Sequence, residues 1–173
     1  MENVRVINVM RSMRLTKTFN LEDLHRTLGG KLYRGRPEML LLRMSNGRSI
    51  QLFRRGTVQI LGRLSQDVVE KMRHELLQRL QIVTSIPLVI SNIVISAQLK
   101  KDLCLRKLVH SNGNIFYEIE LFPAALIRKW HPAHIAVFHN GKVIVTGVKS
   151  VAGLKKLSSD LQIYLHNLND STT

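Results

Sequence analysis

The sequence predicts an α+β fold made from one pattern used twice, an antiparallel sheet with its helices gathered on one side. Three observations predict it. The stretch "LFRRGTVQILGRLS" from Leu52 returns as "VFHNGKVIVTGVKS" from Val137, so that Phe53, Gly56 and Gly62 recur 85 residues later at Phe138, Gly141 and Gly147. Short glycine-bearing links ("SNG", "RRG", "HNG") join β-rich runs, as antiparallel hairpins require. Each copy then closes on an amphipathic stretch, Val69, Met72, Leu76 and Leu80 in the first and Leu154, Leu157, Leu161 and Leu165 in the second. A long period present only twice is a duplicated domain half and not a solenoid, with copies over 1–84 and 85–173.

Each copy reads in the same order. Val4 to Met13, and Leu88 to Leu99, are β-rich runs that suit a first strand. "VINVM" around Asn8 matches "ISNIV" around Asn92 at an offset of 84, and "LEDLHRTL" from Leu21 falls opposite "LRKLVHSN" from Leu105 at the same offset. In the first copy Asn20 caps a short helix, Asp23 follows in its first turn, and Gly29 and Gly30 stop it. Then come "EMLLLRM", "RSIQLF" and "TVQILGR", or "LFPAALIRKW", "HIAVFH" and "KVIVTGV", as a meander of strands. Ser65 and Ser150 stand just before the closing helices, where a hydroxyl satisfies free N–H groups. A sheet covered on one face must use the other. Runs such as Met39, Leu40, Leu41, Leu42 and Val143, Ile144, Val145 make both faces apolar in this reading, and a large open apolar face marks an interaction surface.

The 173 residues carry 26 Lys and Arg against 12 Asp and Glu, a formal net charge of +14. Such an excess points to a polyanionic partner. It is uneven, since residues 1–86 hold 16 basic and 7 acidic side chains and residues 87–173 hold 10 and 5. The first half therefore dominates non-specific attraction to phosphate. No apolar run approaches the roughly 18 residues of a membrane span, and the N-terminal stretch lacks the layout of a signal peptide, so the chain reads as soluble and intracellular. Cys104 is the one cysteine, which excludes an internal disulfide and argues against a thiolate zinc site.

The second copy resembles the second repeat of the TATA-box-binding protein core: "SNIV" from Ser91, "YEIELFPAALIRKW" from Tyr117 and "VFHNGKVIVTGVKS" from Val137 stand in the order of that family. The resemblance implies a saddle of ten antiparallel strands seated on the DNA minor groove, with four helices on the convex side facing other transcription factors. It implies that Phe122 and Phe138 wedge into a base step and bend the duplex, with Phe53 as one wedge of the first copy. Asn8 and Asn92, together with Val94 and Thr146, match groove-reading positions. Arg43, Arg63, Arg128, Lys142 and Lys149 match basic positions near phosphates. Glu118, Glu120 and Leu121 match the stirrup gripped by transcription factor IIB. The implied partners are A·T-rich double-stranded DNA, IIB-like and IIA-like factors and the RNA polymerase machinery, with no cofactor, no metal and no membrane. The implied place of action is the nucleus, or a cytoplasmic factory if the chain is viral. Minor-groove edges at A·T pairs offer only acceptors, which suits asparagine amides and apolar contacts.

The first copy departs from this pattern, as expected of a divergent paralogue or a viral relative. Its second wedge falls at Arg36 or Pro37, depending on a one-residue gap, and no aromatic is available there. Tyr33 lies before the strand. Met10, Gln59 and Leu61 replace an expected valine, valine and threonine, and Thr57 replaces a lysine, which Arg54 and Arg55 offset. Arg36 offers instead an electrostatic entry into a narrow groove.

Each assignment has a plainer competitor. A phenylalanine in a strand is ordinarily core, a basic residue is ordinarily solvated, and Glu118 and Glu120 can be solvated loop residues. Asparagine in mid-strand is more telling, because strands disfavour it. The pair His131 and His134 lacks a third ligand nearby in sequence and is read as no metal site. No nucleophile elbow, phosphate loop or carboxylate pair is present, so an enzyme is not expected. The competing function is an interaction scaffold that keeps the fold without specific DNA binding. A substrate-positioning module of a nuclease or glycosylase is a third, weakened by the absence of a catalytic domain.

Overall fold

The computed structural model describes residues 2–99, 102–110, 114–128, 133–150, 152–153, 159–161 and 163–164. Two compact units divide it, one of residues 9–91 and one of residues 1–8 with 92–173. The 9–91 unit uses β1 (Glu2–Arg14), α1 (Leu21–Leu28), β2 (Lys31–Tyr33), β3 (Met39–Arg43), β4 (Ser49–Phe53), β5 (Thr57–Leu61) and α2 (Gln66–Arg79). Its strands run in the order β2-β3-β4-β5-β1, and every described ladder is antiparallel. The other unit uses β6 (Val89–Gln98), α3 (Leu105–His110), β7 (Ile115–Phe116), β8 (Ala124–Ile127), β9 (His134–Phe138) and β10 (Lys142–Val148), in the order β6-β10-β9-β8-β7. Residues 2–8 of β1 lie with this unit.

The expected capping chemistry is present. The Asn20 carboxamide oxygen accepts from the backbone N–H of Glu22 and Asp23, so α1 begins with two of its free donors satisfied. Gly29 ends it at φ 71°, where its N–H donates to the carbonyl of His25. Ser65 caps α2 by accepting from Val68. Ser150 accepts from the N–H of Gly153, as expected for the last helix of the second copy. Residues 152–153, 159–161 and 163–164 are helical, and Leu161 is buried. Leu154, Leu157 and Leu165 lie outside the described residues.

Strand alternation decides which face is core. In the 9–91 unit Leu40, Leu42, Ile50, Leu52, Val58 and Ile60 point one way and are fully buried against Leu21 of α1 and Val69, Met72 and Leu76 of α2. Truncating such a leucine costs about 2–5 kcal/mol. In the other unit Ile93, Ile95, Val137, Val143 and Val145 fill the same places in their strands. Ile135 of β9 and Val148 of β10 are buried as well, and the other residues of β3, β4, β5, β9 and β10 are half-buried or exposed.

Hydrogen bonds recur at the offset of the repeat. Leu15 N–H donates to the Gly56 carbonyl at 2.9 Å, and Leu99 N–H donates to that of Gly141 at 2.8 Å. Phe19 N–H meets Arg54 O at 2.8 Å, and Leu103 N–H meets His139 O at 2.7 Å. Both hairpin glycines have positive φ, 81° and 74°. At Gly56 a side chain is excluded twice over, since a Cβ there would lie 2.5 Å from the carbonyl oxygens of Leu15 and Lys17.

One core-side position breaks the pattern. Arg11 pairs with Ile60 across β1 and β5, where the second copy has buried Ile95. Its Nη2 reaches the Leu64 carbonyl at 3.4 Å, but Nη1 is buried with no partner. An unsatisfied buried donor costs about 1–3 kcal/mol. Arg11→Ile is therefore expected to raise the melting temperature by several degrees in calorimetry, against the usual trend of core substitutions.

Candidate nucleic-acid interface

The open faces are best described as rows of directly paired residues. In the second copy Phe116, Leu126, Ala136, Ile144 and Ser96 are successive cross-strand partners. The equivalent row of the first copy is Lys31, Leu41, Gln51, Gln59 and Ser12. In this row, therefore, the expected apolar character holds for the second copy and not for the first, although the paired Met39 and Phe53, and Met10 and Leu61, stand on the same face. Physically, local runs such as Met39–Leu42 report only that apolar residues are present. Which residues share a face depends on strand register.

Phe122 and Phe138 come together. Phe138 ends β9 opposite Ala124, and Phe122 lies two residues before Ala124. Their ring centroids are 6.0 Å apart at 61°, an edge-to-face pair, and Phe122 remains 44% exposed. A pair of rings held by each other but not enclosed is available to an external partner. In the first copy Phe53 pairs with Met39 as Phe138 does with Ala124, and Pro37 lies two residues before Met39. Register thus settles the gap: Pro37, not Arg36, occupies the place of Phe122. Pro37 and Phe53 line one cleft of about 590 Å³ with Arg14, Glu38, Arg54, Arg55, Thr57 and Gln59. Tyr33 lies before β3, as expected, and itself belongs to β2, paired with Met39.

Asn92 is half-buried, and its carboxamide oxygen accepts the N–H of Gly147 at 2.7 Å. Gly147 has φ 85° at a bulge in β10, where the register with β6 shifts between Val145 and Val148. The bond orients the amide: its oxygen accepts from the backbone, and its NH₂ can only donate. Asn8 is also half-buried, on β1. Val94, one residue pair along β6 from Asn92, and Thr146, paired with His134, are half-buried as well.

The basic candidates Arg43, Arg63, Arg128, Lys142 and Lys149 are all exposed. The Arg128 guanidinium lies 4.9 Å from the ring centroid of Phe116. Phe116, 52% exposed, was not singled out by sequence, because a two-residue edge strand carries no periodic signal. Of the two arginines expected to offset Thr57, Arg55 is exposed. Arg54 is engaged by Glu38, with Nε 3.0 Å from the carboxylate. Arg14, directly across from Thr57 on β1, is exposed and stands where the second copy has Gln98 opposite Lys142. The cation has moved one strand over.

Glu118, Glu120 and Leu121 are exposed in the segment between β7 and β8, with Leu121 at 79%. A turn holds them there, since Leu121 and Phe122 both donate to the Glu118 carbonyl. Of the two histidines, His131 lies outside the described residues and His134 is exposed. Among the described residues no group of three potential metal ligands occurs. No described helix is long and apolar enough to cross a membrane.

The family profile described as "Transcription factor TFIID (or TATA-binding protein, TBP)" matches residues 87–168, the better-kept copy. The chain is 34% identical to TATA-box-binding protein E of Halobacterium salinarum over 160 residues, covering 86% of this chain and 85% of that one. It is 32% identical to the TATA-box-binding protein of Haloarcula marismortui over 160 residues, covering 86% and 85%. Its fold matches the solved structure of Methanococcus jannaschii TBP with a TM-score of 0.69 at 25% identity, over 96% of this chain and 98% of that one.

Proposed function

Because the chain belongs to the TATA-box-binding protein family, whose members are DNA-binding transcription factors, we propose that its open strand faces bind and bend promoter DNA through the minor groove. The observation that carries this reading is the Phe122–Phe138 pair, two rings packed edge to face yet open to an outside partner. Phe122 and Phe138 act as the wedge of the second copy. Phe53 supplies a lone ring in the first copy, with Pro37 beside it. The Asn92 NH₂ group donates to adenine N3 or thymine O2, the acceptors that A·T pairs present there. Asn8, Val94 and Thr146 complete the reading surface. Arg43, Arg63, Arg128, Lys142 and Lys149 contact phosphates. Glu118, Glu120 and Leu121 form the grip for a IIB-like factor, through which the polymerase machinery is recruited. A IIA-like factor and a nuclear site of action complete the proposal.

Electrophoretic mobility shift tests it directly. An A·T-rich TATA duplex is expected to bind at least tenfold more tightly than a duplex G·C-rich throughout, since the guanine 2-amino group obstructs the apolar face of the second copy and is left there without an acceptor. Binding to neither duplex, with retained binding to a IIB-like protein, would establish the scaffold instead.

A further inference from the structure

Gln51 and Gln59 face each other across β4 and β5 on the open side of the 9–91 unit, with Ser12 next to Gln59 on β1. Both are half-buried, and among the described residues neither carboxamide has a hydrogen-bond partner. Their equivalents in the second copy are Ala136 and Ile144. A strand interior rarely keeps two adjacent amides without partners, because long polar side chains there lose rotamer entropy without compensation. Here they stand in the middle of the row that the other copy fills with apolar groups.

The chemistry of a carboxamide differs from that of a methyl group in one decisive way. In the minor groove every base pair offers N3 or O2 acceptors, and G·C adds a single donor, the guanine 2-amino group. Alanine and isoleucine leave that donor buried and unpaired. A glutamine carbonyl accepts it, while the same side chain's NH₂ donates to the neighbouring acceptor. We propose that Gln51 and Gln59 form an amide pair that receives the guanine 2-amino group, so that the 9–91 unit tolerates G·C pairs in the half of the duplex it covers. The inference rests on the minor-groove reading above. It makes the protein's promoter specificity lopsided: A·T is required under one copy and not under the other.

The test uses the full chain and four duplexes: A·T throughout, one G·C pair in the left half, one in the right half, and one in each. Each G·C duplex has a partner in which inosine replaces guanine, which removes only the 2-amino group. A dye on Cys104, the sole cysteine and an exposed one, reports by energy transfer to an end-labelled duplex which end the second copy occupies. With one G·C pair, binding is expected to fall less than about threefold relative to its inosine partner. The complex is also expected to orient with Cys104 toward the A·T half, whichever half that is. With a G·C pair in each half the loss rises to about tenfold or more. In the double variant Gln51→Ala, Gln59→Ile, which copies the other row, a single G·C pair costs about tenfold against inosine in either half and the orientation bias disappears. If the unaltered protein already shows the tenfold penalty for one pair and no orientation bias, the amide proposal is overturned while DNA binding stands. Failure to bind any of the duplexes overturns the minor-groove reading and this inference with it. The unaltered protein decides the matter even if the double variant does not fold.

Discussion

Replacing Phe122 and Phe138 together by alanine is expected to remove duplex bending at one end of the complex and to weaken binding about a hundredfold or more. Opening a base step costs a few kcal/mol in lost stacking, which inserted rings restore. Without rings that cost stands uncompensated, and each 1.4 kcal/mol is a factor of ten. The variant should fold, because Phe122 is 44% exposed and Phe138 half-buried, and the two rings pack edge to face on each other. Energy transfer between dyes at the two duplex ends reads the bend. Phe53→Ala supplies the comparison: with Pro37 in place of a second ring, the first copy has less to lose and a smaller change is expected. Unchanged bending in the Phe122, Phe138 variant would remove the wedge assignment.

The second large effect is salt. Five exposed cations, Arg43, Arg63, Arg128, Lys142 and Lys149, are assigned to phosphates. Counterion release then gives a slope of about −4.5 in a plot of log K against log salt, or a loss of several hundredfold between about 50 and 200 mM. Each cation replaced by glutamine should flatten the slope by about 0.9 and weaken binding without altering sequence preference. Arg14 is a sixth candidate by position, opposite Thr57, and Arg14→Gln distinguishes it. Arg54, held by Glu38, is expected to contribute less than Arg14. A slope near zero would show that the net charge of +14 serves another partner.

Much of this architecture is legible in the sequence because its signals are local. The Asn20 and Ser65 caps, the Gly29 stop and the hairpin glycines each act within a few residues, and each appears where the chain announces it. The pairing of Phe122 with Phe138, the proposed wedge, is legible because both sit in contiguous strings that match a known family. What was not legible depends on register between strands. Pro37 as the counterpart of Phe122 follows from Met39 pairing with Phe53, not from the ambiguous gap in the 34–38 loop. Gln51 carries no signal of its own, because along its strand it is merely the polar residue between Ile50 and Leu52. Only the pairing with Gln59 and Ser12 shows that it belongs to a polar row. Arg14 was hidden in the same way, since its relation to Thr57 spans 43 residues of chain. The two-residue strand carrying Phe116 is too short to produce a pattern at all.

The claim on which the rest depends is that the duplex is read from its minor groove. Inosine·cytosine pairs test it most directly, since they present the major groove of G·C and the minor groove of A·T. Binding constants for a TATA duplex, its full inosine·cytosine replacement and its full guanine·cytosine replacement are to be measured at one salt concentration. The inosine duplex is expected to bind within a few-fold of the TATA duplex and the guanine duplex at least tenfold more weakly. An inosine duplex that binds as poorly as the guanine duplex would contradict it.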